Sequence, residues 1–199
     1  MTLPLTNTKM TIQNAEKHHS RSIARLIMQA MSYDCCQWFA GKGHSLNDFE
    51  HLMTALVEAD NSQYSYRNTL VALTEADEVA GVCVSYDGKQ LHELRKAFAD
   101  KAFKAFGKDF SGMADETQAG ELYIDSLAVD ERFRGRGIAT MLLRRTIDKA
   151  RQTGLPAVGL LVDKGNPRAE RLYTRLGFAW KNDASWGGHP MKHLQITGL

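Results

Sequence analysis

Apolar positions recur along this chain at two periods, and the switches between them predict the order of elements. Ile23, Leu26, Ile27, Ala30 and Met31 share one stripe of a helix that Ser20 caps. Ser45-Leu-Asn-Asp48 has the form of a capping box with Asp in place of Glu. Behind it Leu46, Phe49, Leu52, Met53 and Leu56 give a second helix, to about Ala59, its apolar face. Lys9–Asn14 reads as a short first strand, and residues 1–8 as loose. Thr69–Thr74 and Val79–Tyr86 are apolar, β-branched runs parted by a polar turn, the pattern of an antiparallel hairpin that Asp87-Gly88 ends.

Residues 87–120 form an insert between strands. Leu91, Leu94, Phe98, Ala102, Ala105 and Phe106 fall at helical spacing, and a polar, glycine-containing loop follows. Glu121–Val129 is a strand whose phase slips. Glu121, Tyr123 and Asp125 share one face, yet Leu127 and Val129 then put bulky apolar groups on it. A β-bulge produces such a slip, and so does a strand end buried on both faces. A helix follows from Arg136 to about Thr153, with Ile138, Met141, Leu142, Ile147 and Ala150 inward and Gly154 stopping it. Ala157–Val162 is a continuous apolar run, read as a buried strand. Asn166-Pro167 starts a further helix that ends at Gly177. Two strands, from Phe178 and over His189–Ile196, close the chain.

The turn between the fourth strand and the long helix carries the chemistry. Arg132-Phe-Arg-Gly135-Arg-Gly137 opens directly into helix. Glycines let backbone approach a ligand, and a helix start offers unpaired N–H groups and a positive dipole end to a phosphate. Arginines at 132, 134, 136, 144 and 145 thicken the positive charge locally, which points to an anionic ligand.

Bulk composition changes this picture little. The chain has 199 residues, 43% hydrophobic and 24% charged, which suits one globular domain carrying an insertion. A net charge of +2 with no basic run argues against nucleic acid. Neither a signal peptide nor a membrane span is expected. The three cysteines, Cys35, Cys36 and Cys83, are read as reduced, in a cytoplasmic protein. The turn lacks the Gly-Lys-Ser/Thr ending of a nucleotide-binding phosphate loop.

Two motifs together resemble the GNAT superfamily of acetyl-CoA-dependent N-acetyltransferases. Arg132-Phe-Arg-Gly135-Arg-Gly137-Ile-Ala fits its Gln/Arg-x-x-Gly-x-Gly/Ala turn. Asn166-Pro-Arg-Ala169-Glu-Arg-Leu172-Tyr173-Thr-Arg-Leu-Gly177-Phe178 fits its second motif, a helix ending in Gly-Phe. The resemblance implies an α/β (α+β) fold: a mixed, mostly antiparallel sheet of six to seven strands flanked by helices, with the helical insert between strands 3 and 4. It implies one N-acetyltransferase domain over 1–199 and acetyl-CoA as cosubstrate, with no metal. Arg132, Arg134, Gly135, Arg136, Gly137, Ile138 and Ala139 would hold the pyrophosphate. Leu127, Ala128 and Val129 would pair with the pantetheine arm through backbone. Asn166, Ala169 and Tyr173 would lie beside it.

The implied activity is transfer of the acetyl group to a primary amine of a small molecule or peptide. Tyr173 matches the tyrosine that often protonates the departing thiolate, and a backbone N–H near Leu127 is the natural donor to the thioester oxygen. The strand position where some members carry a Glu base is Tyr123 here. Glu121 and Asp125 flank it and are the candidate bases, acting through water. Tyr33, Asp34, Trp38 and Phe39, with Trp186, Gly187, Gly188 and His189, are candidates for shaping the acceptor site. The insert, rich in Phe98, Phe103, Phe106 and Phe110, is expected to cover that site or to form a homodimer face. A non-catalytic acyl-CoA-binding relative is the alternative reading.

Overall fold

The computed structural model describes residues 9–199, so the reading of residues 1–8 lies outside the described residues. The elements run β1 (Thr11–Asn14), α1 (Ser20–Met31), α2 (Tyr33–Ala40), α3 (Leu46–Val57), β2 (Thr69–Leu73), β3 (Val79–Asp87), α4 (Leu91–Phe106), β4 (Leu122–Val129), α5 (Ile138–Thr153), β5 (Ala157–Asp163), α6 (Pro167–Arg175), β6 (Ala179–Trp186) and β7 (His189–Thr197). The seven strands form one sheet in the order β1-β2-β3-β4-β5-β7-β6. Only β4 and β5 are parallel, since α5 carries the chain back between them. This is the fold class expected from the two motifs.

Two apolar layers hold the sheet between them. On one face α1, α2, α3 and α4 pack on Val71, Leu73, Val82 and Val84. On the other, Ile138, Leu142, Leu143 and Ile147 of α5 pack on Leu70, Ala72, Cys83 and Ile124. The alternation along β2 supplies both faces from one strand. Gly81 lets α5 lie close, since a Cβ there would come within 3.0 Å of Ile138 and 3.1 Å of the Ala128 carbonyl. No helix among the described residues is long and apolar enough to cross a membrane.

Two features of β4 position the site. Its partner register on β3 shifts between Val84 and Ser85: Ser126 pairs with Val84 and Ile124 with Ser85, which leaves Asp125 without a partner. The slip in the sequence is therefore a β-bulge, and it aims Asp125 out of the regular alternation. On the other side, β4 pairs with β5 only over Leu122–Ile124. Beyond that point β4 stays with β3 as far as Val129, and β5 stays with β7 as far as Asp163. The two central strands part there, and a cleft opens between them.

Some expectations needed correction. Tyr33–Phe39, expected at a junction between helices, forms α2. Ser32, at φ 73°, breaks the chain out of α1, and its side chain accepts from the Cys35 N–H. Cys36, Phe39 and Ala40 are buried at helical spacing, but eight residues give too short a pattern to stand out. The insert's aromatics divide. Phe98 and Phe110 are buried, Phe106 packs partly, and Phe103 is 60% exposed. Gly107, left-handed at φ 66°, ends α4 and turns the chain into the loop. That loop is pressed onto the start of the insert, where a Cβ on Gly88 would collide with the Gln118 carbonyl.

Candidate active site

The cleft between β4 and β5 has a volume of about 1320 Å³. One end is built from Leu127, Ala128 and Val129, the turn at Arg134, Gly135 and Gly137, and Ile138 and Ala139 of α5. Gly135 and Gly137 sit at φ 78° and 77°, and nothing lies within 4 Å of where their side chains would be. That is the left-handed region glycine tolerates, and the open space leaves backbone bare toward a ligand. Gly137 is the N-cap of α5 and has no side chain to occupy the helix start. The N–H groups of the first turn thus have no capping partner, and no acid sits in that turn. These residues fit a phosphate-bearing ligand.

The arginines sort differently from their order in the sequence. Arg134 lines the cleft, its Nε donating to the Val129 carbonyl at 3.2 Å. Arg132 does not. It is held by Glu78 and Asp130, each at 2.7 Å. Arg136 stacks over Phe133 at 5.4 Å and is not in the lining, and Arg144 and Arg145 are exposed along α5 away from it. In their place α6 supplies Arg168, Arg171 and Arg175. Their i, i+3, i+7 spacing puts them on one helix face.

Asn166 serves two ends at once. Its Oδ1 accepts from the Ala169 N–H at 3.1 Å and caps α6, and it also borders the cleft with Ala169 and Tyr173. Burial pushes the Tyr173 phenol up to about 12, with the nearby Cys83 thiol adding to it, so the hydroxyl keeps its proton at neutral pH.

The acidic residues of β4 part company. Asp125, freed by the bulge, lines the cleft. Its Oδ2 accepts from Gln63 Nε2 at 3.0 Å and from Tyr86 Oη at 3.3 Å, and Ser126 Oγ donates to its Oδ1 at 3.0 Å. The same Gln63 and Tyr86 donors reach Glu116 Oε1 at 3.5 and 3.2 Å. One phenol proton cannot serve both carboxylates, so the pair is short of donors. Burial, and then the Glu116 charge, raise Asp125 to about 7. Burial also raises Glu116, against the opposing pull of Arg95. Glu116 comes from the insert loop and was missed in the sequence, where a polar loop has no periodicity to mark it.

Glu121 is elsewhere. Fully buried, it accepts from Thr117 Oγ1 at 2.6 Å and Gln195 Nε2 at 2.9 Å, and it meets His193 Nε2 at 2.8 Å. Gly159 leaves the space for its carboxylate, with which a Cβ would collide. Burial works to raise its pKa, but the hydrogen bonds from His193 and Thr117 prevail and hold it below the usual range. It ties β4 and the insert loop to β7 and does not line the cleft.

Toward Asp125 the cleft is closed by Met31, Cys35, Tyr64, Glu116 and Trp186, with His189 also in the wall. Of the expected acceptor residues, Trp186 and His189 are therefore present. Trp38, Phe39 and Gly187 line a neighbouring recess instead, and Tyr33, Asp34 and Gly188 line neither.

Over residues 27–178 the sequence matches the acetyltransferase (GNAT) family. The chain belongs to that family. Among its relatives, a mycothiol acetyltransferase of Thermobifida fusca is 37% identical over 83 residues, 41% of this chain but 25% of that protein. An N-alpha-acetyltransferase, MAK3, of Arabidopsis thaliana is 39% identical over 75 residues, 38% of this chain and 40% of its own length. The chain thus spans well under half of either. A solved acetyltransferase structure is 30% identical, with a TM-score of 0.77, covering 94% of this chain and 98% of that one. An N-acetyltransferase from Staphylococcus aureus Mu50 matches with a TM-score of 0.78 at 24% identity over 94% of this chain, a likeness of fold. This GNAT chain therefore has its family's mixed sheet flanked by helices.

Proposed function

We propose that this GNAT protein acetylates a primary amine by direct transfer from acetyl-CoA, with Asp125 as general base and Tyr173 as general acid. The observation that carries the reading is the cleft itself. It joins a bare helix start and glycine turn to a carboxylate raised to about 7, with Tyr173 of α6 in the same wall.

Acetyl-CoA supplies an acetyl group on a thioester and a sulfur leaving group. The turn at Arg134–Gly137 and the first turn of α5 hold its phosphates, with Arg168, Arg171 and Arg175 adding positive charge. The backbone of Leu127–Val129, on the side of β4 that has parted from β5, pairs with the pantetheine arm, and a backbone N–H near Leu127 receives the developing charge on oxygen. Asp125 takes a proton from the incoming ammonium. The neutral nitrogen forms the C–N bond as the C–S bond breaks, and Tyr173 Oη gives its proton to the departing sulfur. The surplus proton on the new amide nitrogen leaves to water, the proton held by Asp125 returns through solvent to the Tyr173 phenolate, and both groups are restored with one proton released in net.

Thiol release from acetyl-CoA on a panel of amines, beside calorimetric titration with acetyl-CoA and ATP, tests this reading. Acetyl-CoA binding with amine-dependent thiol release supports it. ATP binding without acetyl-CoA binding overturns it, and acetyl-CoA binding with no release across a broad panel favours a non-catalytic acyl-CoA binder.

A further inference from the structure

We infer that the acceptor is a primary amine on an apolar body, with no carboxylate near the amine. This rests on the proposed acetyl transfer and concerns what the acceptor end of the same cleft selects.

Charge decides the first part. Asp125 and Glu116 share the donors Gln63 and Tyr86, and behind Glu116 the buried Arg95 guanidinium lies 3.4 Å from its Oε2. Asp115 also meets that guanidinium, at 3.6 Å, so carboxylates outnumber cations around the pair and a cationic amine suits it. The cleft's arginines are on the 134 turn and on α6. None stands on β4, the insert loop, the segment at Tyr64 or β6, which together surround the pair. A carboxylate carried next to the amine would meet two acids, with the one nearby guanidinium, Arg95, already facing Glu116 and Asp115, a like-charge contact in a poorly solvated place.

The walls decide the second part. Met31, Cys35, Tyr64 and Trp186 offer soft apolar and aromatic surface beside the acids. Trp186 also walls the neighbouring recess of about 360 Å³, with Trp38, Phe110 and Met113. That gives an apolar body room to extend. Asp109 also lines that recess, beside the apolar groups.

Thiol release with phenethylamine, phenylalanine and spermidine tests the inference, since the first two differ only by the carboxylate. The expected kcat/KM for phenethylamine exceeds that for phenylalanine at least about 100-fold and that for spermidine about 10-fold. Glu116→Gln removes one repelling charge and should narrow the first ratio about tenfold; a purely structural role would lower both substrates alike. Equal or better turnover of phenylalanine or spermidine overturns the inference while leaving acetyl transfer standing, as does turnover of other amines but none of these three. Failure of acetyl-CoA to bind overturns acetyl transfer itself and the inference with it.

Discussion

The Phe178 N–H donates to the Tyr173 carbonyl at 3.2 Å, and the two rings meet nearly edge-on with centroids 5.8 Å apart. The Gly-Phe ending of α6 is thus a device for holding Tyr173. Gly177, at φ 97°, turns the chain sharply enough for buried Phe178 to fold back under the helix it has just left. Two substitutions separate support from chemistry. Phe178→Ala should cost about 3–5 kcal/mol of stability through the cavity it leaves. Tyr173→Phe should leave the melting temperature close to wild type and lower kcat by roughly 10²-fold, with acetyl-CoA affinity nearly unchanged. Equal losses in kcat and in cofactor affinity would count against an acid role for the phenol.

The glycine turn makes a prediction about affinity alone. Gly135→Val puts a β-branched side chain at φ 78° into the open space where backbone faces the cleft. The strain is about 1–2 kcal/mol, and the larger effect is steric, against the ligand. Calorimetry should show acetyl-CoA binding weakened more than tenfold, with the sheet's circular dichroism intact. Unaltered affinity would remove the turn from the binding site.

Glu121 gives a prediction about acid stability. Its folded pKa lies below the ordinary glutamate value, so its stabilising contribution is present above the unfolded pKa and is lost as pH falls through the folded one. Wild-type stability should therefore decline as pH drops below about 4.5. Glu121→Ala should be destabilised by about 3–5 kcal/mol at pH 7, since it strands His193 and Gln195, and should lack that part of the acid dependence. Urea unfolding at pH 7, 5 and 4 measures both. A variant as stable as wild type at pH 7 would show that the buried cluster contributes nothing. A steady-state KM for the amine that moves with this substitution would return Glu121 to the acceptor site.

Much of this arrangement was legible because it is local. The bulge is written as a phase slip from Asp125 to Leu127. The capping box at Ser45 and Asp48 closes over three residues, with both of its hydrogen bonds formed. The helix start at Gly137 and the Gly177-Phe178 ending are likewise local signals. What was hidden is what distant segments bring together. Glu116 reaches Asp125 only because α4 and its loop fold back over the sheet, and the donors they share, Gln63 and Tyr86, come from two further segments. Arg132 looked equivalent to Arg134 in the turn, and its ion pairs with Asp130 and with distant Glu78 distinguish them. Glu121 and Asp125 looked alike on one strand face, and the bulge at Asp125 and the histidine of β7 set them apart.

Asp125 couples activity to stability with opposite signs. Burial and the Glu116 charge raise it to about 7, so it binds a proton in the folded state over a pH range where the unfolded chain has lost it. Folded-state stability then falls as pH rises from about 4 to about 7, and the cost is fully present above that. Activity runs the other way, because only the deprotonated carboxylate can take the ammonium's proton. The kcat/KM profile should fall as pH drops through about 7, tenfold per unit on the acid limb. Asp125→Asn should lower kcat by 10²–10³-fold, on the order expected for loss of a general base, and remove that limb. It should also stabilise the protein at pH 8, on the order of 1 kcal/mol after allowance for the partial exposure of the site, with the gain vanishing near pH 4. Thermal melts at pH 8 and pH 4, beside the rate profile, test the two signs together. A variant that loses stability at pH 8 would mean that the carboxylate is a structural hydrogen-bond acceptor for Gln63 and Tyr86 and that its charge is not costly there.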